Sequence, residues 1–260
     1  MRICHQFQDR HHLVFLEVKK SEVEILGRSG TLPAYFSLPR ESEGQLPGVV
    51  VVHDVFGMSK DLRGQCDWLA REGFVAVAPD LFSRRSKAVC VVSAFRQLST
   101  GKGELFDDLD ATRAWLERDE RCTGRIGVIG FCMGGSFALL LAPSGGYGAS
   151  SVNYGRLPSD AASHLKGSCP VVGSYGGRDR SLRGAADRLR AALEVNGVAH
   201  DVKEYPSAGH GFLNDHPSRF LKVVGPFMGM GYHHASAQDA MERIVKFFNS
   251  HLLEPQDLSP

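Results

Sequence analysis

Arg125-Ile126-Gly127-Val128-Ile129-Gly130-Phe131-Cys132-Met133-Gly134-Gly135-Ser136-Phe137-Ala138-Leu139-Leu140-Leu141 reads as a buried strand, a sharp glycine-bounded turn and a helix. That sequence of elements is the geometry of a nucleophile elbow, G-x-S-x-G, with cysteine where serine is usual. Glycine flanks such a turn because a Cβ would collide there. The residue at the tip sits at a helix N-terminus, where the helix dipole favours thiolate over thiol. The stretch therefore predicts a cysteine nucleophile, Cys132, on an α/β scaffold.

Working outward, the first forty residues resemble a small β meander, with strands at Leu13–Val18, Val23–Leu26 and Leu32–Leu38 separated by turn residues. The rhythm then changes. Val49-Val50-Val51-Val52 is a continuous apolar run of the kind covered on both faces of a parallel sheet. A helix follows over Arg63–Glu72, a strand over Phe74–Ala78, and a helical pattern over Asp107–Arg118. Beyond the elbow come a strand at Val171–Tyr175, a helix at Asp187–Val195, a strand at His200–Tyr205 and a closing amphipathic helix at Met241–Leu252. Gly225–Gly231 reads as a mobile loop. Alternating strands and helices predict a mostly parallel, doubly wound α/β sheet with an antiparallel N-terminal edge. At 260 residues, one domain over the whole chain suffices.

Thirty basic residues against twenty-nine acidic ones, with no dominant basic stretch, argue against nucleic acid and for a small-molecule partner. No apolar run approaches the roughly 20 residues of a membrane helix, and the opening residues lack a signal-peptide core. Six scattered cysteines, none in a C-x-x-C pair, give neither a zinc nor a disulfide framework. A reducing cytoplasm fits that pattern. The adjacent pairs His11-His12 and His233-His234 lack a third ligand at useful spacing, so no metal is expected. The chain is expected to be a monomer or small homo-oligomer.

A thiol nucleophile needs a base, and the base needs an orienting group. Tyr175-Gly176-Gly177-Arg178-Asp179 places Asp179 after one strand, and Ser207-Ala208-Gly209-His210-Gly211-Phe212 places His210 after the next. The order nucleophile, acid, histidine is that of the elbow scaffold, and parallel-sheet carboxyl edges are where ligands bind. Asp187 is a poorer acid, lying inside a predicted helix, while Asp179 could also cap the helix that follows it. His53-Asp54-Val55-Phe56-Gly57, closing the Val49 strand, offers the Val55 backbone N–H as one oxyanion donor, with Met133 as the other.

These motifs, with Ala78-Pro79-Asp80-Leu81-Phe82, resemble the dienelactone hydrolases (carboxymethylenebutenolidases) over about Ser21–Leu252. The resemblance implies an α/β-hydrolase fold and a Cys132, His210 and Asp179 triad. It implies hydrolysis of an enol-lactone through a thioester, with neither metal nor organic cofactor. It also assigns thiol activation to the position of Asp54, where the founding type has glutamate. A substrate-carboxylate clamp would fall on Arg84 and on Asn214, where the founding type has arginines. Asp54 could equally pin its own loop, and losing one bidentate arginine weakens selectivity for a carboxylate. Three rival readings remain beside the lactone hydrolase: a general carboxylesterase or other lactonase, a non-catalytic ligand-binding member of the fold, and a redox sensor. The last needs Cys122 or Cys169 near Cys132.

Overall fold

A computed structural model describes residues 17–42, 44–216 and 231–253. Most of the predicted strand at Leu13–Val18, the His11-His12 pair and nearly all of the Gly225–Gly231 loop lie outside those residues.

The meander forms two long strands, β1 (Val18–Gly27) and β2 (Gly30–Pro39), paired antiparallel. They are followed by β3 (Leu46–Val52), α1 (Lys60–Arg71), β4 (Val75–Pro79), α2 (Lys87–Thr100) and α3 (Glu104–Glu117). The chain continues through β5 (Cys122–Phe131), α4 (Met133–Leu141), β6 (Ala149–Asn153), the short α5 (Ala161–His164) and β7 (Val171–Gly176). It ends with α6 (Ala185–Val195), β8 (His200–Tyr205) and a final helix, α7 (His234–Leu252). The strands form one eight-stranded sheet in the order β1-β2-β4-β3-β5-β6-β7-β8. β2 is antiparallel to β4, and every pairing from β4 to β8 is parallel. The antiparallel edge and parallel body match the sequence expectation.

Three features were not legible. α2 occupies a stretch without a clear apolar period; three of its apolar residues, Val89, Val92 and Phe95, face solvent. β6 reads Ala-Ser-Ser-Val-Asn, which looks like a loop, yet every residue in it is buried. Ser150 Oγ donates to the Ala138 carbonyl at 2.9 Å and Asn153 Nδ2 to the Gly130 carbonyl at 3.1 Å, while Asn153 Oδ1 is buried without a partner among the described residues. Burial of such a strand is tolerated because these donors find acceptors. α7 starts well before Met241, because the residues it buries in its first turns are small, Ser236, Ala237 and Ala240.

The period of two in the central strands divides the core. Val50, Val52, Val75, Val77 and Val128 face one layer, packed by α2, α3 and α4. Val49, Val51, Ala76, Ile129 and Phe131 face the other, packed by α1 and α7. With both faces covered, apolar burial at about 25 cal/mol per Å2 holds the sheet rigid. Its carboxyl edge is level: Val52 pairs with Gly130, Phe131 with Asn153, and Asn153 with Ser174. Residues immediately beyond those pairs must converge on one edge.

Candidate active site

The ladder continues past the strands. The Cys132 N–H donates to the Asn153 carbonyl at 3.0 Å, and the Tyr154 N–H to the Ser174 carbonyl at 2.8 Å. Cys132 then turns sharply into α4 with φ 55° and ψ −112°. Tyr154, at φ 42°, is the other non-glycine residue with positive φ among those described. Such conformations cost about 1–3 kcal/mol each and persist where the surroundings over-determine them. Here the surroundings do. A Cβ at Gly130 would lie 1.9 Å from the Gly134 carbonyl oxygen, and one at Gly134 would lie 2.2 Å from that of Val52. The elbow is wedged against β3 so closely that only glycine fits on both sides.

His210 is carried beyond β8 and meets Asp179 beyond β7, with Nδ1 2.6 Å from Asp179 Oδ2. The other carboxylate oxygen accepts from the Ser181 N–H at 2.9 Å and from Ser181 Oγ at 2.6 Å. Asp179 therefore both caps the turn after it and holds the imidazole. Burial would raise its carboxyl, but the hydrogen bonds from His210 and Ser181 outweigh that and hold it below the usual range. For His210, burial works against the charged form; the Asp179 hydrogen bond and the interaction with the Cys132 thiol prevail, raising it to about 10. The ring of Tyr154 meets His210 edge-on at 5.3 Å. Asp187 is spent on an exposed pair with Arg190.

A cavity of about 500 Å3 opens above these groups. Cys132, Tyr154, His210, Asp54, Val55 and Phe56 line it, together with Arg178, Asn214, His216 and Tyr232. Among the described residues, neither the Val55 nor the Met133 N–H has an intramolecular acceptor. Met133 opens α4, whose first N–H groups lack helical partners in any case.

Two of the expected residues have other partners. Asp54 Oδ1 accepts from the Phe56 N–H at 2.7 Å, and its Oδ2 is 2.8 Å from His216 Nε2. Arg84 lies outside the cavity lining; its guanidinium grips buried Asp108 at 2.5 and 3.1 Å and reaches Glu104 at 3.4 Å. Asn214 does line the cavity but is tied on both sides. The Tyr154 hydroxyl donates to its carbonyl oxygen, and its Nδ2 donates to Asp61 Oδ2 at 2.6 Å. Burial raises the Asp61 carboxyl, partly offset by the Asn214 and Asp215 donors.

Sequence reasoning missed Tyr154, Ser181 and His216, which show no local pattern. Arg178 could have been found, since it sits within the Gly177-Arg178-Asp179 motif; among the described residues it is the arginine that lines the cavity. Neither Cys122 nor Cys169 can resolve an oxidised Cys132. Cys122 begins β5, nine residues before its far end at Phe131, and so is about 30 Å away along the strand. Cys169 precedes β7, at the sheet's amino edge. His233 caps α7, its ring nitrogen accepting from the Ser236 N–H. Among the described residues no cluster of His, Cys, Asp or Glu could hold a metal, and no helix is long and apolar enough to cross a membrane.

A mostly parallel sheet with helices on both faces and a strained cysteine elbow at its carboxyl edge defines an α/β hydrolase. Residues 32–252 match the model of the dienelactone hydrolase family, and the chain belongs to that family. A Salmonella typhimurium protein named "Putative carboxymethylenebutenolidase" is 31% identical over 242 residues, covering 86% of this chain and 84% of that one. The crystal structure titled "Putative Dienelactone Hydrolase" from Klebsiella pneumoniae superposes with a TM-score of 0.75 at 26% identity, covering 89% and 98%. Brefeldin A esterase shares the fold alone, with a TM-score of 0.67 at 16% identity and coverage of 97% and 81%. The protein is thus a hydrolase acting on carboxylic ester or lactone bonds.

Proposed function

We propose that the hydrolysis runs through a thioester on Cys132. The observation that carries this is the contact of His210 with Asp179 at 2.6 Å on one side and with the Cys132 thiol on the other. The thiol proton passes to His210, sulfur attacks the acyl carbonyl, and the C–O bond breaks as the alkoxide or enolate leaves with the proton from His210. Water, deprotonated by His210, then attacks the thioester and returns the thiol. Asp179 holds the imidazole tautomer and stabilises the imidazolium. The Val55 and Met133 N–H groups face the developing oxyanion, and losing one such donor costs about 100-fold or more in rate. No step calls for a metal or organic cofactor. A nucleophilic thiol of this kind is kept reduced in the cytoplasm, the compartment we assign.

The substrate is a small ester or lactone held in the cavity. Arg84 is committed to Asp108, and Asn214 supplies no charge. Among the described residues, Arg178 is then the exposed guanidinium at the cavity for a carboxylate-bearing substrate. One exposed cation makes a weaker carboxylate anchor than two, so neutral esters and other lactones are also within range. Cys132→Ala should abolish turnover, and intact-mass measurement of the wild type with activated esters should show an acyl adduct on Cys132. Full esterase activity in the alanine variant, or no adduct with any ester, would sink the mechanism.

A further inference from the structure

His53, at the end of β3, is fully buried yet takes no part in the chemistry above. Its Nδ1 lies 2.7 Å from the carbonyl oxygen of the next residue, Asp54. A carbonyl oxygen only accepts, so Nδ1 carries the proton. Nε2 is buried without a partner among the described residues. Burial lowers the imidazole's affinity for a second proton, so the ring is neutral with Nε2 bare. Phe82 fixes the ring plane by an edge contact, with centroids 4.5 Å apart.

The accepting carbonyl belongs to the Asp54–Val55 peptide unit, whose other pole is the Val55 N–H. The unit is planar and trans, so its C=O and N–H point in opposite directions. Fixing the oxygen inward on His53 therefore aims the N–H outward, toward the cavity that Val55 lines. A second donor, the Gly57 N–H, reaches the same oxygen at the longer distance of 3.2 Å. Hydrogen bonds accepted at the carbonyl also polarise the amide and make its N–H a stronger donor.

We infer that His53 is a positioning residue that aims and strengthens the Val55 oxyanion donor from behind the peptide plane. The inference rests on the thioester mechanism proposed above. It predicts that His53 acts only on steps that build negative charge on a carbonyl oxygen. Acylation by p-nitrophenyl acetate is such a step: the S–C bond forms through an oxyanion, and p-nitrophenolate leaves with the electron pair. Alkylation by iodoacetamide is not, since sulfur displaces iodide at a saturated carbon. Both report on the same thiol, so their ratio removes any change in its nucleophilicity.

His53→Phe should slow acylation by about 10- to 100-fold, the range expected for a misaimed donor, and leave alkylation unchanged. His53→Asn, whose amide can donate to the same carbonyl, should recover part of the loss. Equal slowing of both reactions, as from a disturbed fold, or no slowing of either, overturns the inference. Should the phenylalanine variant not fold, nitrogen-15 NMR of wild-type His53 decides: a neutral ring protonated at Nδ1 is required, and an Nε2–H tautomer or an imidazolium overturns it. Failure of the underlying mechanism reads differently, as a wild-type enzyme that forms no acyl adduct on Cys132 at all.

Discussion

Asp54 Oδ2 lies 2.8 Å from His216 Nε2, and both residues line the cavity. Phe56 packs against the same imidazole with its ring tilted and the centroids 4.4 Å apart, while its backbone N–H donates to the other carboxylate oxygen. The pair ties the loop after β3 to the segment after His210. Burial disfavours the His216 imidazolium, and the hydrogen bond and charge of Asp54, with Asp61 and Asp215 nearby, more than compensate. Asp54→Asn should therefore lower the His216 pKa, measured by NMR titration, while the rate of Cys132 alkylation against pH stays as in the wild type. A slower alkylation would restore Asp54 as an activator of the thiol.

The raised pKa of His210, about 10, depends in part on Cys132. In Cys132→Ala that contribution vanishes, and an NMR titration should show the imidazole pKa falling toward the ordinary value. The stability consequence has a definite sign. A histidine whose pKa is higher folded than unfolded stabilises the fold fully below its unfolded value, about 6.5. That contribution is lost as pH rises from there through about 10. Thermal denaturation of wild type and Cys132→Ala across that window should show the wild-type advantage from this source shrinking with alkali.

Arg84 and Asp108 make a paired charge beneath the surface, with Asp108 only 1% exposed at its side chain. Removing one partner strands the other, at a typical cost of about 3–5 kcal/mol. Arg84→Ala should thus lower the denaturation midpoint sharply and leave KM unchanged for carboxylate-bearing and neutral substrates alike. The double variant Arg84→Met with Asp108→Leu should recover much of the stability, since no charge is then left unpaired. A selective rise in KM for carboxylates would return Arg84 to the substrate.

Substrate charge selection is assigned to Arg178. Arg178→Met should raise KM for lactones bearing a carboxylate by about two- to fivefold, the worth of an exposed ion pair, and leave neutral esters unaffected. Asn214→Arg, by contrast, should gain no preference for carboxylates. An arginine there would meet the Asp61 carboxylate that Asn214 now contacts at 2.6 Å, and would be neutralised in place. A panel of lactones and esters with and without a carboxylate, run on both variants, checks the two expectations together.

Much of this protein was legible in the chain because its signals are local. The apolar run at Val49–Val52 could only be a strand covered on both faces, and the glycines around Cys132 could only serve a tight turn. The order Cys132, Asp179, His210, each following a strand, already placed three reactive groups on one sheet edge. β6 escaped because Ser150 and Asn153 donate to backbone carbonyls distant in sequence, at Ala138 and Gly130.

The partners of long polar side chains lay beyond that reach. Arg84 and Asp54 carry the right charge for the roles the resemblance gave them, yet each is paired with a residue distant in sequence, Asp108 and His216. The sequence by itself determined the scaffold and the placing of Cys132, Asp179 and His210 just beyond strand ends, since strand period, turn sterics and chain order act over a few residues. Only the tertiary structure decided which charges face the cavity, because an ion pair is chosen by distance in space and by burial.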